Sequence, residues 1–165
     1  MHHAEERRTP LSRSTAALIA LACWHAAAAA QLPDESEDSP AVKADVERLQ
    51  GLWKLESLEV NGKKAPDDQI RSWILVIEGK QYNPGSRETS VEYSFRLDPT
   101  LTPKAIDLIP HEGPMKGRSL RGIYSVSDEA FILCRALGSD SERPAGFNTR
   151  PESGLVKVVW KRRKP

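Results

Sequence analysis

Leu97-Asp98-Pro99-Thr100-Leu101-Thr102-Pro103-Lys104-Ala105-Ile106-Asp107-Leu108-Ile109-Pro110, continued by Gly113-Pro114-Met115-Lys116-Gly117 and Gly122-Ile123-Tyr124, is the stretch whose reading decides the fold. Pro99, Pro103, Pro110 and Pro114 have no amide hydrogen to give to a ladder, so regular pairing is confined to the short runs between them. Residues 104–109 are therefore predicted as one strand with a tight turn on each side. Alternation across the pleat places Lys104, Ile106 and Leu108 on one face and Ala105, Asp107 and Ile109 on the other, so a charged side chain points each way.

The same period of two runs outward from this stretch. Residues 52–60 alternate until Ser57, where the pattern weakens as it would at a bulge. Asn61-Gly62 is the strongest hairpin-turn signal in the chain. Trp73-Ile74-Leu75-Val76-Ile77 is a compact apolar strand, turned by Glu78-Gly79-Lys80 into residues 81–83. Between residues 88 and 97, Thr89, Val91, Tyr93, Phe95 and Leu97 oppose Glu88, Ser90, Glu92, Ser94 and Arg96, one face packed and one wet. Residues 119–126, 130–136 and 155–161 complete the set. Before them all, Ser39-Pro40 resembles a helix entrance, with Val42, Val46 and Leu49 at helical spacing and Gly51 as the stop. No later segment keeps a helical period over about ten residues. About eight short strands separated by turn signals predict an all-β fold, a single antiparallel lipocalin-like barrel with a short N-terminal helix, over residues 41–165.

The N-terminal part has a different character. Arg7, Arg8 and Arg13 precede the apolar run from Ala16 to Trp24, and alanines 26–30 follow. A basic region, a short apolar region and small residues at a cleavage site predict a secretory signal peptide over residues 1–30, too short an apolar run for a comfortable membrane span. The protein is thus expected to be exported, to the periplasm or beyond. Two variants accompany the preferred plain signal. Arg7-Arg8-Thr9-Pro10-Leu11 partly resembles a twin-arginine export signal, and Ala20-Leu21-Ala22-Cys23 resembles a lipoprotein box that would anchor the chain through Cys23. Residues 31–40 are acidic and nearly without apolar side chains, which predicts a disordered linker.

Of 24 basic and 23 acidic residues, removal of residues 1–30 leaves 21 of each. A neutral, mixed-charge chain offers no electrostatic footprint for nucleic acid and no bulk attraction to anionic membranes. The basic run Lys161-Arg162-Arg163-Lys164 is read as a solvated chain end. Beyond Cys23 only Cys134 remains, so no intramolecular disulfide is expected, and Phe131-Ile132-Leu133 places that thiol in a strand interior as a small hydrophobe.

Leu49-Gln50-Gly51-Leu52-Trp53-Lys54, Leu97-Asp98-Pro99, residues 103–108, Gly113-Pro114, Lys116-Gly117, Gly122-Ile123-Tyr124 and Glu142-Arg143-Pro144 followed by Phe147 form a set over residues 46–163. As a set they resemble a planctomycete-type secreted domain of unknown function with a lipocalin-like barrel. The resemblance implies that Gly51-Leu52-Trp53 closes one end of the barrel. It brings no catalytic activity, cofactor or ligand.

Beyond residue 30 the single histidine, His111, stands beside Glu112 between two prolines, a solvent-facing loop position rather than a metal or triad site. No nucleophile elbow or phosphate-binding glycine loop is present. Asp98 and Asp107 are the one carboxylate pair that could do glycosidase-like work, but Asp before Pro is ordinary turn chemistry, and structural bonding by both is preferred. Buried charge must be paired, so Lys104, Asp107 and Arg143 are expected as a network lining the barrel end or a pocket floor. With Trp53 and Tyr124 they make the candidate ligand-binding set. The resulting expectation is a non-enzymatic, monomeric module without cofactor or metal, binding a small apolar or amphipathic molecule or an envelope protein. The alternatives are an envelope interaction domain with a filled barrel, acting through loops such as residues 110–118, and a hydrolase using Asp98 and Asp107.

Overall fold

The computed structural model describes residues 39–86, 89–139 and 141–164. The expected signal peptide, Cys23 and the linker up to residue 38 lie outside them. Its first element, helix α1 (Pro40–Leu49), starts where the sequence places a cap: Ser39 Oγ accepts the Val42 amide at 3.2 Å, and Pro40 occupies the first turn, where no amide donor is needed. The helix cap and first turn, at Ser39 and Pro40, thus occupy the last two residues of the stretch expected as linker. Val42, Asp45 and Leu49 form its buried face. Gly51, at φ +107, turns the chain from helix into strand in a conformation that side chains oppose.

The strands are β1 (Gly51–Val60), β2 (Lys63–Lys64), β3 (Ile74–Glu78), β4 (Gln81–Gly85), β5 (Tyr93–Asp98), β6 (Lys104–Pro110), β7 (Leu120–Val126), β8 (Ala130–Ala136) and β9 (Leu155–Arg162), with helix α2 (Asp67–Ile70) between β2 and β3. Each pairs antiparallel with its neighbour, and β9 returns to β1, so eight strands close a barrel while β2 rides beside the end of β1. The all-β barrel expected from sequence is the fold observed. Asn61 and Gly62, both at positive φ, make the β1–β2 hairpin. The predicted irregularity in β1 is a bulge between Leu55 and Ser57. It resets the alternation, so Trp53 and Leu55 before it and Leu58 after it all face the interior.

Two segments differ from expectation. Within the polar connection after Gly62, α2 packs on β1 through the buried Ile70. The strand expected from residue 88 becomes regular only at Tyr93; ahead of it Ser90 bridges to Gly85 and the Val91 amide reaches Pro84 O. No described helix is long and apolar enough to cross a membrane.

Trp53, Leu75, Ile77, Phe95, Leu97, Ile106, Leu108, Tyr124, Phe131, Leu133 and Trp160 fill the barrel. Full burial of such side chains stabilises by about 1.5–3 kcal/mol each relative to exposure. Outside the barrel wall a second apolar layer forms. Ala105, Ile123, Cys134 and Ala136 are buried without belonging to the interior cluster, and the chain between β8 and β9, with Pro144 buried, reaches β6 and β7 through Arg143.

One end of the barrel is plugged by α1. The Trp53 indole donates to Leu49 O at 2.8 Å, and the Arg162 guanidinium stacks on the same ring at 4.0 Å. Arg162 also donates to Gln50 O at 2.7 Å and to Arg48 O, satisfying carbonyls that the helix end leaves open. The Gln50 side chain bonds both the amide and the carbonyl of Gly79, fastening the β3–β4 turn to the same plug.

Candidate functional site

With α1 seated at one end, free space inside the barrel lies toward the other. A partly enclosed cavity of about 230 Å³ opens there. Its wall is apolar: Leu55 and Leu58 from β1, Leu108 from β6, Leu133 from β8, Val156 and Val158 from β9, with Trp73, Pro84 and Val91 toward the rim. The residues are there because they hold the inward places of their strands, and the β1 bulge is what brings Leu58 into line with Val158.

Polar atoms enter this surface from Tyr82, Tyr93, Arg135, Trp73 and Trp160. Tyr82 is 4% exposed, its ring edge-on to Tyr93 at 5.8 Å and to Phe131 at 6.4 Å. Burial pushes its phenol far above the usual range, opposed by the Arg135 charge and the Trp160 N–H, so the hydroxyl stays protonated. Arg135 takes an inward place after Phe131 and Leu133, and its Nη1 donates to Ala136 O at 2.8 Å. Trp160 is 2% exposed, and its Nε1 points toward the Tyr82 hydroxyl without closing a well-formed hydrogen bond.

The five residues predicted as one site do not line this cavity. They divide between two networks. Trp53, Lys104 and Tyr124 belong to the plugged end, where Asp45 of α1, 2% exposed, accepts from Tyr124 Oη at 2.7 Å and from Lys104 Nζ at 2.6 Å. Burial first, then this bond, raises the Tyr124 phenol. Asp107 and Arg143 lie on the outside of the wall: Arg143 Nη2 is 2.8 Å from Asp107 Oδ1, while Nη1 donates to Ile106 O and Gly122 O. The expected ring of Lys104, Asp107 and Arg143 is thus broken by parity, because neighbours of opposite parity on β6 face opposite sides of the wall.

Asp98 accepts the Thr100 amide and hydroxyl, a turn role, and Asp107 is held by Arg143. The two acids share the outer face of the β5–β6 ladder, where Asp98 opposes Ala105 and Arg96 opposes Asp107, rather than facing each other across a cleft. His111 is partly exposed, 4.0 Å from Glu92. Among the described residues no group of three or more histidine, cysteine or acidic side chains is placed to hold a metal. Cys134 is buried, which raises its thiol pKa.

Arg135, on β8 at the cavity, is the one site residue whose signal stands in the sequence outside the proline-rich stretch. A charged residue alternating with Phe131 and Leu133 on the apolar face of a barrel strand is the unusual feature, more so than the paired acids of the loops. Compared with known protein families, curated proteins and solved structures, the chain matches none of them.

Proposed function

We propose that this chain is an exported, lipocalin-like, non-enzymatic module that takes a small apolar or amphipathic molecule into its barrel through the end opposite α1. The observation that carries this reading is the apolar cavity of about 230 Å³, left in a barrel whose other end is plugged. Its size is just under the ~300–1,000 Å³ of sites for drug-sized ligands, which suits a small molecule or one end of a longer one. Gly51-Leu52-Trp53 at the plug, with Arg162 stacked on the indole, supports the lipocalin-like description. Export is supported by the pattern of residues 1–30.

The test is a titration with octanol, a neutral probe, followed by the fluorescence of Trp73 and Trp160 at the cavity wall and by calorimetry. Saturable one-to-one binding is expected, lost when Val158→Phe fills the space while circular dichroism stays unchanged. Absence of saturable binding, or binding indifferent to Val158→Phe, overturns the reading.

A further inference from the structure

The polar side chains at the cavity share one property: they give hydrogen bonds. Arg135, Trp73 and Trp160 are donors only, and no carboxylate, amide or histidine lines the space. Arg135 carries five N–H donors, of which one is accounted for by Ala136 O. Among the described residues it has no acidic partner. A half-buried guanidinium against an apolar wall is unfavourable until something supplies a counter-charge. Trp160 adds a second observation: an indole N–H, in a residue 2% exposed, whose one neighbouring acceptor is the Tyr82 hydroxyl and which closes no well-formed bond to it. Tyr82, whose hydroxyl stays protonated at neutral pH, supplies a third donor between them.

We propose that the occupant is an amphiphile with a carboxylate head, its two oxygens held by the Arg135 guanidinium together with the Trp160 N–H and the Tyr82 hydroxyl, and its tail against Leu58, Leu133, Val156 and Val158. This rests on the cavity reading above and names the ligand class. The planar fork of arginine matches two carboxylate oxygens side by side, which a lysine ammonium does not. A carboxylate is also a compact anionic head, in keeping with a cavity of about 230 Å³. The ligand brings the acceptors and the negative charge that the wall lacks.

Matched probes of one chain length test the two claims separately: octanoate, octanol and octylamine, each titrated by calorimetry into the full-length chain lacking only residues 1–30. Octanoate is expected to bind about tenfold or more tighter than octanol, and octylamine weakest, as a charge-assisted bond in a low-dielectric site requires. Arg135→Leu should remove the preference for octanoate and leave octanol binding in place. Arg135→Lys should keep part of it, and Trp160→Phe should reduce it with the fold intact by circular dichroism. Equal affinities for octanoate and octanol, or a preference that survives in both Arg135→Leu and Trp160→Phe, overturn the carboxylate assignment while the cavity reading stands. Failure of all three probes to bind overturns both.

Discussion

Replacing Asp45 by alanine tests whether α1 is fastened to the barrel by its buried carboxylate. That group, 2% exposed, accepts from Tyr124 Oη at 2.7 Å and Lys104 Nζ at 2.6 Å, with Arg48 Nη1 at 3.4 Å. The three partners are not equal. Tyr124 is 1% exposed, so its hydroxyl is stranded without an acceptor, and a hydrogen bond to a charged group is worth about 1.5–3 kcal/mol. The Lys104 and Arg48 side chains are 39% and 55% exposed, return readily to water, and add about 0–1 kcal/mol each. Asp45→Ala should therefore cost about 2–4 kcal/mol. Tyr124→Phe leaves Asp45 its lysine and should cost about 1–2 kcal/mol. Because the double variant removes donor and acceptor together, its cost should fall short of the sum by about 1–2 kcal/mol. Urea denaturation with linear extrapolation measures all three. A cost for Asp45→Ala below about 0.5 kcal/mol, the limit for an ordinary surface change, or strict additivity in the cycle, would refute the claim that this carboxylate holds the plug.

Gly122→Ala should destabilise by about 1–3 kcal/mol, since a Cβ there would stand 2.9 Å from Cys134 O and 3.0 Å from Arg135 Cβ, atoms that a sheet wall cannot move aside; the urea midpoint reads it. Stability should also fall in alkali. Tyr82 keeps its proton in the folded chain above its ordinary pKa of 10, whereas the unfolded chain releases it there, so stability is full below about pH 10 and declines as pH rises beyond it. The slope from this phenol is up to about 1.4 kcal/mol per pH unit. Tyr82→Phe should flatten that decline, with Tyr124 sustaining what remains, and denaturant midpoints at about pH 9 and about pH 11 compare the two chains.

How far the sequence spoke depended on the range of the interaction. Local chemistry was legible: Ser39-Pro40 opened a helix, Asn61-Gly62 made a hairpin, and the weakened alternation past Ser57 marked a true bulge. α2 was not, because four residues carry no period, and its single anchor, Ile70, is one apolar side chain in a polar run. The regular alternation of residues 88–97 overstated its strand, since pattern reports which face is packed and not where a partner strand ends. At the site, the charges around the proline-rich stretch are close in sequence, but their parity already separates Lys104 from Asp107. Asp45 was invisible as the partner of Lys104 because 59 residues separate the two and nothing short of the closed fold brings them together. Arg135 was readable in principle, as the one charge on the inward face of β8.

The stack of Arg162 on Trp53 also bears on how the chain comes to its shape. Its guanidinium joins the last strand to Gln50 O across 112 residues, at the seam where β9 zips to β1. Until that strand arrives, β1 and β8 each show a row of unpaired amides and carbonyls, the template on which wrong partners assemble. Barrel closure is therefore a late, long-range event, and contacts of such separation slow folding. Only the arrival of β9 covers both margins, so mispairing between copies in which it has not yet docked is the hazard this architecture carries, and the arginine latch is what ends it.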